Sequence, residues 1–210
     1  MGRPRQFDES KLLDAAIELF WSNGFDDTSV EDVSLVAGVG NGSIYAAYSS
    51  KRGLFLAAFE RYCERRATFV CETVLAAPGS ARMATRTLLR AMVEDCVAQP
   101  DRRGCLMINS IAALSGRIPE VAELAARTGA AMERGVAERL SSCAPDGASA
   151  EVATLSAHII VTAQGLILWS RMGVPADRLH EIAEVSVATL PSAWADQVGA
   201  TAAARKAYAG

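Results

Sequence analysis

Apolar residues in this 210-residue chain recur at helical spacing, and glycine or proline interrupts them at short intervals. The breakers are Pro78-Gly79, Pro100 to Gly104, Gly116 to Pro119, Pro145 to Gly147, Gly173 to Pro175, and Pro191. Segments between them run to about 10–25 residues, and none sustains period-two alternation. This pattern predicts an all-α fold of about nine helices, with no internal repeat. Leu12, Leu13, Ala16, Ile17 and Phe20 define a first amphipathic helix over roughly residues 8–23, ending at Asn23-Gly24. Thr28, followed three residues later by Glu31, reads as a capping box opening a short helix to Ala37, where Gly38 stops it. A third short helix runs from about Asn41 to Ala47, and Ser49-Ser50 open a longer one past Val70.

Composition narrows the function classes. Aromatic residues are 6% of the chain and alanine is abundant, which favours packed helices over strands. Five cysteines at irregular spacing (63, 71, 96, 105, 143) follow a polar N-terminus, so a disulfide scaffold is not expected and a reducing cytoplasm is. The most apolar run, Ile159 to Trp169, falls short of the roughly 20 residues that cross a bilayer, so no membrane span is expected. A net charge of −3 leans away from nucleic acid when taken whole. Position changes that reading. Residues 1–53 hold five basic residues against eight acidic ones, and Arg3, Arg5, Lys51 and Arg52 stand at the two ends of that segment.

Two short helices joined by Gly38-Val39-Gly40 have the sequence shape of a helix-turn-helix, whose second helix enters the DNA major groove. Short helix pairs around a glycine also occur in ordinary helical cores, so spacing alone leaves both readings open. The wider pattern is Ala16, Phe20, Gly24-Phe25, Thr28, Val33, Ala37-Gly38-Val39, Gly42-Ser43-Ile44-Tyr45, Tyr48, Lys51 and Leu54. It closely resembles the DNA-binding domain of TetR/AcrR-type transcriptional regulators over about residues 2–60. Tyr45-x-x-Tyr48-x-x-Lys51-x-x-Leu54 is similar to that family's Tyr-x-x-Phe-x-x-Lys-x-x-Leu signature, with tyrosine in place of phenylalanine. Gly2-Arg3-Pro4-Arg5 is similar to the basic arm of many members.

The resemblance implies a DNA face built from Arg3, Arg5, Thr28, Asn41, Gly42, Ser43, Tyr45, Tyr48, Lys51 and Arg52. Lys51 and Arg52 neutralise phosphates at a helix N-terminus, and the arm arginines reach backbone or minor groove. Asn41 suits an adenine edge, and Ser43 a base or a phosphate. Tyr48 is either a phosphate donor or a core residue with a wet edge, and Thr28 either a phosphate contact or a plain helix cap. Few large side chains on the third helix leave room for readout of DNA shape.

The resemblance further implies a head over residues 1–52, a helical ligand-binding and dimerisation domain over 53–196, and a tail over 197–210. The candidate dimer helices are Glu151 to Met172 and Arg178 to Trp194, with Leu155, Ile159, Leu166, Ile182, Val185 and Leu190 as interface residues. Candidates for a largely apolar inducer pocket are Met92, Cys96, Leu106, Met107, Asn109, Ser110 and Leu114, with His158, Gln164, Trp169 and Met172 from the later helices. Cys105, after Arg102-Arg103-Gly104 and at a helix start, is either a packing residue or a thiol activated for redox or electrophile sensing.

The expected function is that of a homodimeric repressor which binds a palindromic double-stranded operator and is released by a small molecule. No cofactor is expected, and His158 and His180 lack metal-ligand spacing. A helical enzyme on a small apolar metabolite is the remote alternative. No phosphate loop, nucleophile elbow or catalytic grouping supports it, so no catalytic residue is assigned.

Overall fold

A computed structural model of the chain describes residues 7–192 together with 196 and 197. Among the described residues the helices are α1 (Glu9–Asn23), α2 (Val30–Ala37), α3 (Asn41–Tyr48), α4 (Lys51–Ala76), α5 (Ala81–Ala98), α6 (Leu106–Leu114), α7 (Pro119–Ser141), α8 (Ser149–Arg171) and α9 (Ala176–Ala188), with one 3-10 turn at Pro100–Arg102. The all-α expectation holds. Arg3, Arg5, Trp194 and residues 198–210 lie outside the described residues.

Two compact units divide the chain. One comprises residues up to Arg65 together with Leu106–Ala125; the other comprises Arg66–Cys105 and residues from Ala126 onward. In the first unit, Asp8 caps α1 by accepting from the Lys11 amide, and Leu12, Leu13, Ala16, Ile17 and Phe20 form its buried face. Phe20 packs against Phe25 and Phe55, and Phe55 against Phe59, with ring centroids 5.1–6.1 Å apart. These rings hold the start of α4 to the end of α1, as edge-to-face and offset aromatic packing favours.

The cap of α2 corrects the sequence expectation by one residue. Ser29, not Thr28, is the N-cap, and its partner is Asp32 rather than Glu31, with both arms of the box formed. Thr28 is buried instead and donates its hydroxyl to the carbonyls of Gly24 (2.8 Å) and Leu19 (3.2 Å). It therefore satisfies acceptors at the end of α1 and presents no surface to phosphate. Gly38 ends α2 in the left-handed region (φ 66°), the conformation that a side chain disfavours, and so makes the tight turn into α3.

In the second unit, α5 packs against α8 and α9, which also pack on each other. An 18-residue window of α8 has a mean hydropathy of 1.6, so length and composition alone would let it cross a membrane. That corrects the shorter run read in the sequence. Packing accounts for one side of this helix: Val152, Ile159, Ile160, Ala163, Leu166 and Ile167 are buried.

Candidate nucleic-acid interface

The recognition element rises from α3. Ile44 is its one buried residue and anchors it, while Gly42, Ser43, Tyr45 and Ala46 face outward. Gly40 caps the helix without a side chain, so Asn41 and Gly42 begin it with no side-chain acceptor over their amides, a geometry that favours an incoming phosphate. Ser34 donates to the Val39 carbonyl at 2.7 Å and locks the turn. Tyr45 is 45% exposed, which suits a phosphate-donating hydroxyl. Asn41 is more constrained than expected. Its Nδ2 donates to Glu31 Oε1 at 3.4 Å, and its Oδ1 is buried with no partner. Bidentate pairing with adenine therefore requires the amide to leave Glu31.

Tyr48 is half-buried and donates its hydroxyl to Glu9 Oε1 at 2.9 Å, so it ties α3 to α1. The core alternative thus describes it better than phosphate donation. Lys51 opens α4 with its ammonium 4.7 Å from the Phe25 ring centroid and donates to the Asp26 carbonyl at 3.0 Å. Gly53 is required beside it. A Cβ there would lie 2.0 Å from the Tyr48 carbonyl oxygen, so only glycine lets α4 start so close to the end of α3.

Sequence reasoning missed the residues that surround this foot. Arg117, just before α7, forks onto Asp26 with contacts of 3.2 and 2.7 Å. Glu120, in the first turn of α7, accepts from Arg52. The Arg117 hydrogen bond chiefly holds the Asp26 carboxyl below the usual carboxylate range, and Lys51 lowers it further. Glu120 is likewise held low, first by its own backbone amide and then by Arg52. These partners are more than 60 residues apart in sequence, and no local pattern announces them. Five charged groups (Asp26, Lys51, Arg52, Arg117, Glu120) thus cluster at one corner of the first unit.

The remaining predicted residues divide. Met92 and Cys96 are buried in the second unit, and Leu106, Met107, Ser110 and Leu114 in the first, while Asn109 and Gln164 are half-buried. His158 and Met172 are corrections, standing exposed on or just beyond α8, whereas Trp169, also exposed, lines a groove there. Beside Met92 lies a polar group that the sequence did not announce. Arg66 donates to Asp95 at 2.7 Å and to the Met92 sulfur at 3.5 Å.

Of the expected interface residues, Ile159, Leu166 and Leu190 face inward, buried within the chain itself. Leu155 and Ile182 are half-buried, and Val185 is exposed. The outward strip is instead Val161, Leu168, Trp169, Met172 and Val185. A groove of about 310 Å³ between α8 and α9 meets this strip at Trp169 and is otherwise lined by Thr162, Gly165, Leu166, Ile182 and Ser186. Helical phase explains the difference: the most apolar stripe of α8 serves the core, leaving a second, thinner stripe outside.

Cys105 is buried, and each of the two arginines before it makes a bond to another group. Arg102 donates to the Val174 carbonyl at 2.9 Å and Arg103 to Gln99 Oε1 at 3.3 Å. Burial pushes the neighbouring Cys96 thiol up to about 12. A reactive thiol needs exposure, so burial favours the packing role for Cys105.

Comparison with known proteins follows the same lines. Residues 12–58 match the family model of the bacterial regulatory proteins of the tetR family. The chain is 29% identical over 195 residues to the HTH-type transcriptional regulator YezE of Bacillus subtilis (strain 168), covering 90% of this chain and all of that one. It is 28% identical over 193 residues to the HTH-type transcriptional repressor ComR of Escherichia coli (strain K12), covering 90% and 92%. A solved structure of a cysteine mutant of the TetR family transcriptional regulator CifR, complexed with 26-bp double-strand operator DNA, is similar with a TM-score of 0.72. Its sequence identity is 28%, over 90% of this chain and all of that one.

Proposed function

This chain belongs to the TetR family of transcriptional regulators and binds DNA rather than catalysing a reaction, and from that premise we propose that it is a homodimeric repressor, released from a palindromic operator by a small, largely apolar ligand. The observation that carries the reading is the joint one at α3 and α4: an outward face of small residues and Tyr45, beside a basic foot of Lys51 and Arg52. Small side chains admit close approach of backbone to the groove, and the foot sets register on phosphate. ComR is named a repressor, and CifR was solved on operator DNA; both favour the same activity here.

The second copy is supported by the outward strip of α8 and α9. Val161, Met172 and Val185 are 67%, 70% and 68% exposed, an apolar surface that a lone soluble chain rarely leaves in water. A two-fold dimer also gives two recognition helices one DNA turn apart, which is what a palindrome reads. Residues 1–52 form the reading head in this account, with Arg3 and Arg5 as its arm, and 53–196 serve ligand and dimer. This reading puts its work in the cytoplasm, where the chromosome lies. In this reading the ligand is received near Met92 and Cys96, which are buried beside the Arg66–Asp95 pair.

Two substitutions test the DNA face by binding to the chain's own upstream DNA. Lys51→Ala weakens binding to all sequences alike, whereas Asn41→Ala relaxes base preference by about 1–3 kcal/mol at one position per half-site. Equal, sequence-blind losses from both would assign Asn41 to the backbone and remove it from recognition.

A further inference from the structure

The corner between α6 and α7 grips the DNA-binding head through two ion pairs of opposite polarity. Arg117 gives its fork to Asp26, whose main-chain carbonyl receives Lys51. Glu120 takes the Nη2 of Arg52, one residue further along the same foot. All four side chains in the two pairs are 44–66% exposed, so DNA phosphate has access to each cation. An Arg52 Nη2 engaged by a carboxylate is not engaged by a phosphate. The two acceptors are alike in charge and in the donor geometry they demand.

From this we infer that Glu120 is an internal competitor of operator phosphate for Arg52, and that the α6–α7 corner thereby sets DNA affinity. The inference rests on the DNA-binding reading above and adds a regulator to that site. The two pairs act in opposite directions. Glu120 withholds a cation from DNA. Arg117 neutralises the Asp26 carboxylate, which otherwise stands beside Lys51 and draws on its charge. Any movement that draws Glu120 away from Arg52 strengthens binding, and any movement that draws Arg117 away from Asp26 weakens it.

The test uses the full chain and a duplex of its own upstream DNA at fixed salt. Exposed pairs are weak, so Glu120→Gln should tighten binding only about two- to five-fold per protomer. Arg117→Gln should loosen it by a similar factor. In an Arg52→Ala background the gain from Glu120→Gln should disappear, because the contested cation is gone. A gain that persists without Arg52 overturns the proposal, since it reflects only the removal of a negative charge near DNA. Losses from both Glu120→Gln and Arg117→Gln also overturn it, because they make the pairs simple braces. If the unaltered chain shows no affinity for the duplex, the DNA-binding reading itself fails instead, and the two failures are distinct. Far-UV circular dichroism and melting of each variant show whether the head remains folded.

Discussion

Thr28 and Ser29 are adjacent hydroxyls with opposite duties. Thr28 faces inward and serves two carbonyls at the end of α1; Ser29 faces the start of α2 and completes a box with Asp32. Replacing Ser29 by alanine should cost about 1 kcal/mol, the usual worth of an N-cap. Thr28→Val keeps the shape but takes the hydroxyl from two part-buried carbonyls, at a cost of about 1–2 kcal/mol. Urea unfolding of the two variants checks both figures, and a silent Ser29→Ala would return the cap to Thr28. Asp32 is held below the usual carboxylate range, chiefly by the Ser29 hydroxyl, and Asp26 and Glu120 are low for their own reasons. A depressed folded pKa adds stability above the unfolded value of about 4 and loses it as pH falls through the folded one. Thermal melts should therefore be flat near neutrality and fall below about pH 4. The sequence made the box legible but not its register, because Thr-Ser-Val-Glu-Asp offers hydroxyl-to-acid pairs one residue apart. Burial of the threonine methyl decides between them, and burial is a property of the fold.

Between elements, two glycines mark close approaches. A Cβ on Gly135 of α7 would sit 2.6 Å from the Cys71 sulfur of α4, nearer than real contacts allow. Gly135→Ala should cost about 1–3 kcal/mol by overpacking, and adding Cys71→Ala should recover much of that loss. Calorimetric melts of the single and double variants decide it; an unchanged double variant would show that the backbone, not the sulfur, sets the limit. Nearby, Arg139 is almost wholly buried without a carboxylate. Its guanidinium serves the Ala77 and Gly79 carbonyls and the Ser142 hydroxyl at helix ends. Such an arginine reads as surface charge in a sequence, because nothing in its neighbourhood names carbonyls 60 residues away. Helix number and most boundaries were legible from breakers and apolar spacing. The inward phase of α8 was not, because that helix is apolar on more than one side, and a stripe does not say which neighbour it meets.

For the molecule as a whole, the same ambiguity moves the proposed dimer surface. Its expected core of Ile159, Leu166 and Leu190 belongs to the protomer, and the outward strip falls to Val161, Trp169, Met172 and Val185. Val185→Arg should therefore give a folded monomer by sedimentation and weaken operator binding at least about tenfold, through loss of the paired head. Such a monomer would still have its helices, because Val185 contributes little to its own protomer's core. The net charge of −3, which taken alone leans away from nucleic acid, becomes intelligible at this scale. Within residues 1–53, Arg3, Arg5, Lys51 and Arg52 stand at the two ends, and the surplus acids between them limit loose binding. Binding of the unaltered chain to its own upstream DNA, followed across salt concentration, tests the account most directly. With about three to five phosphate contacts per protomer, a dimer should give a slope of log K against log salt of roughly −5 to −9. Absent binding, or binding that ignores salt, would contradict it.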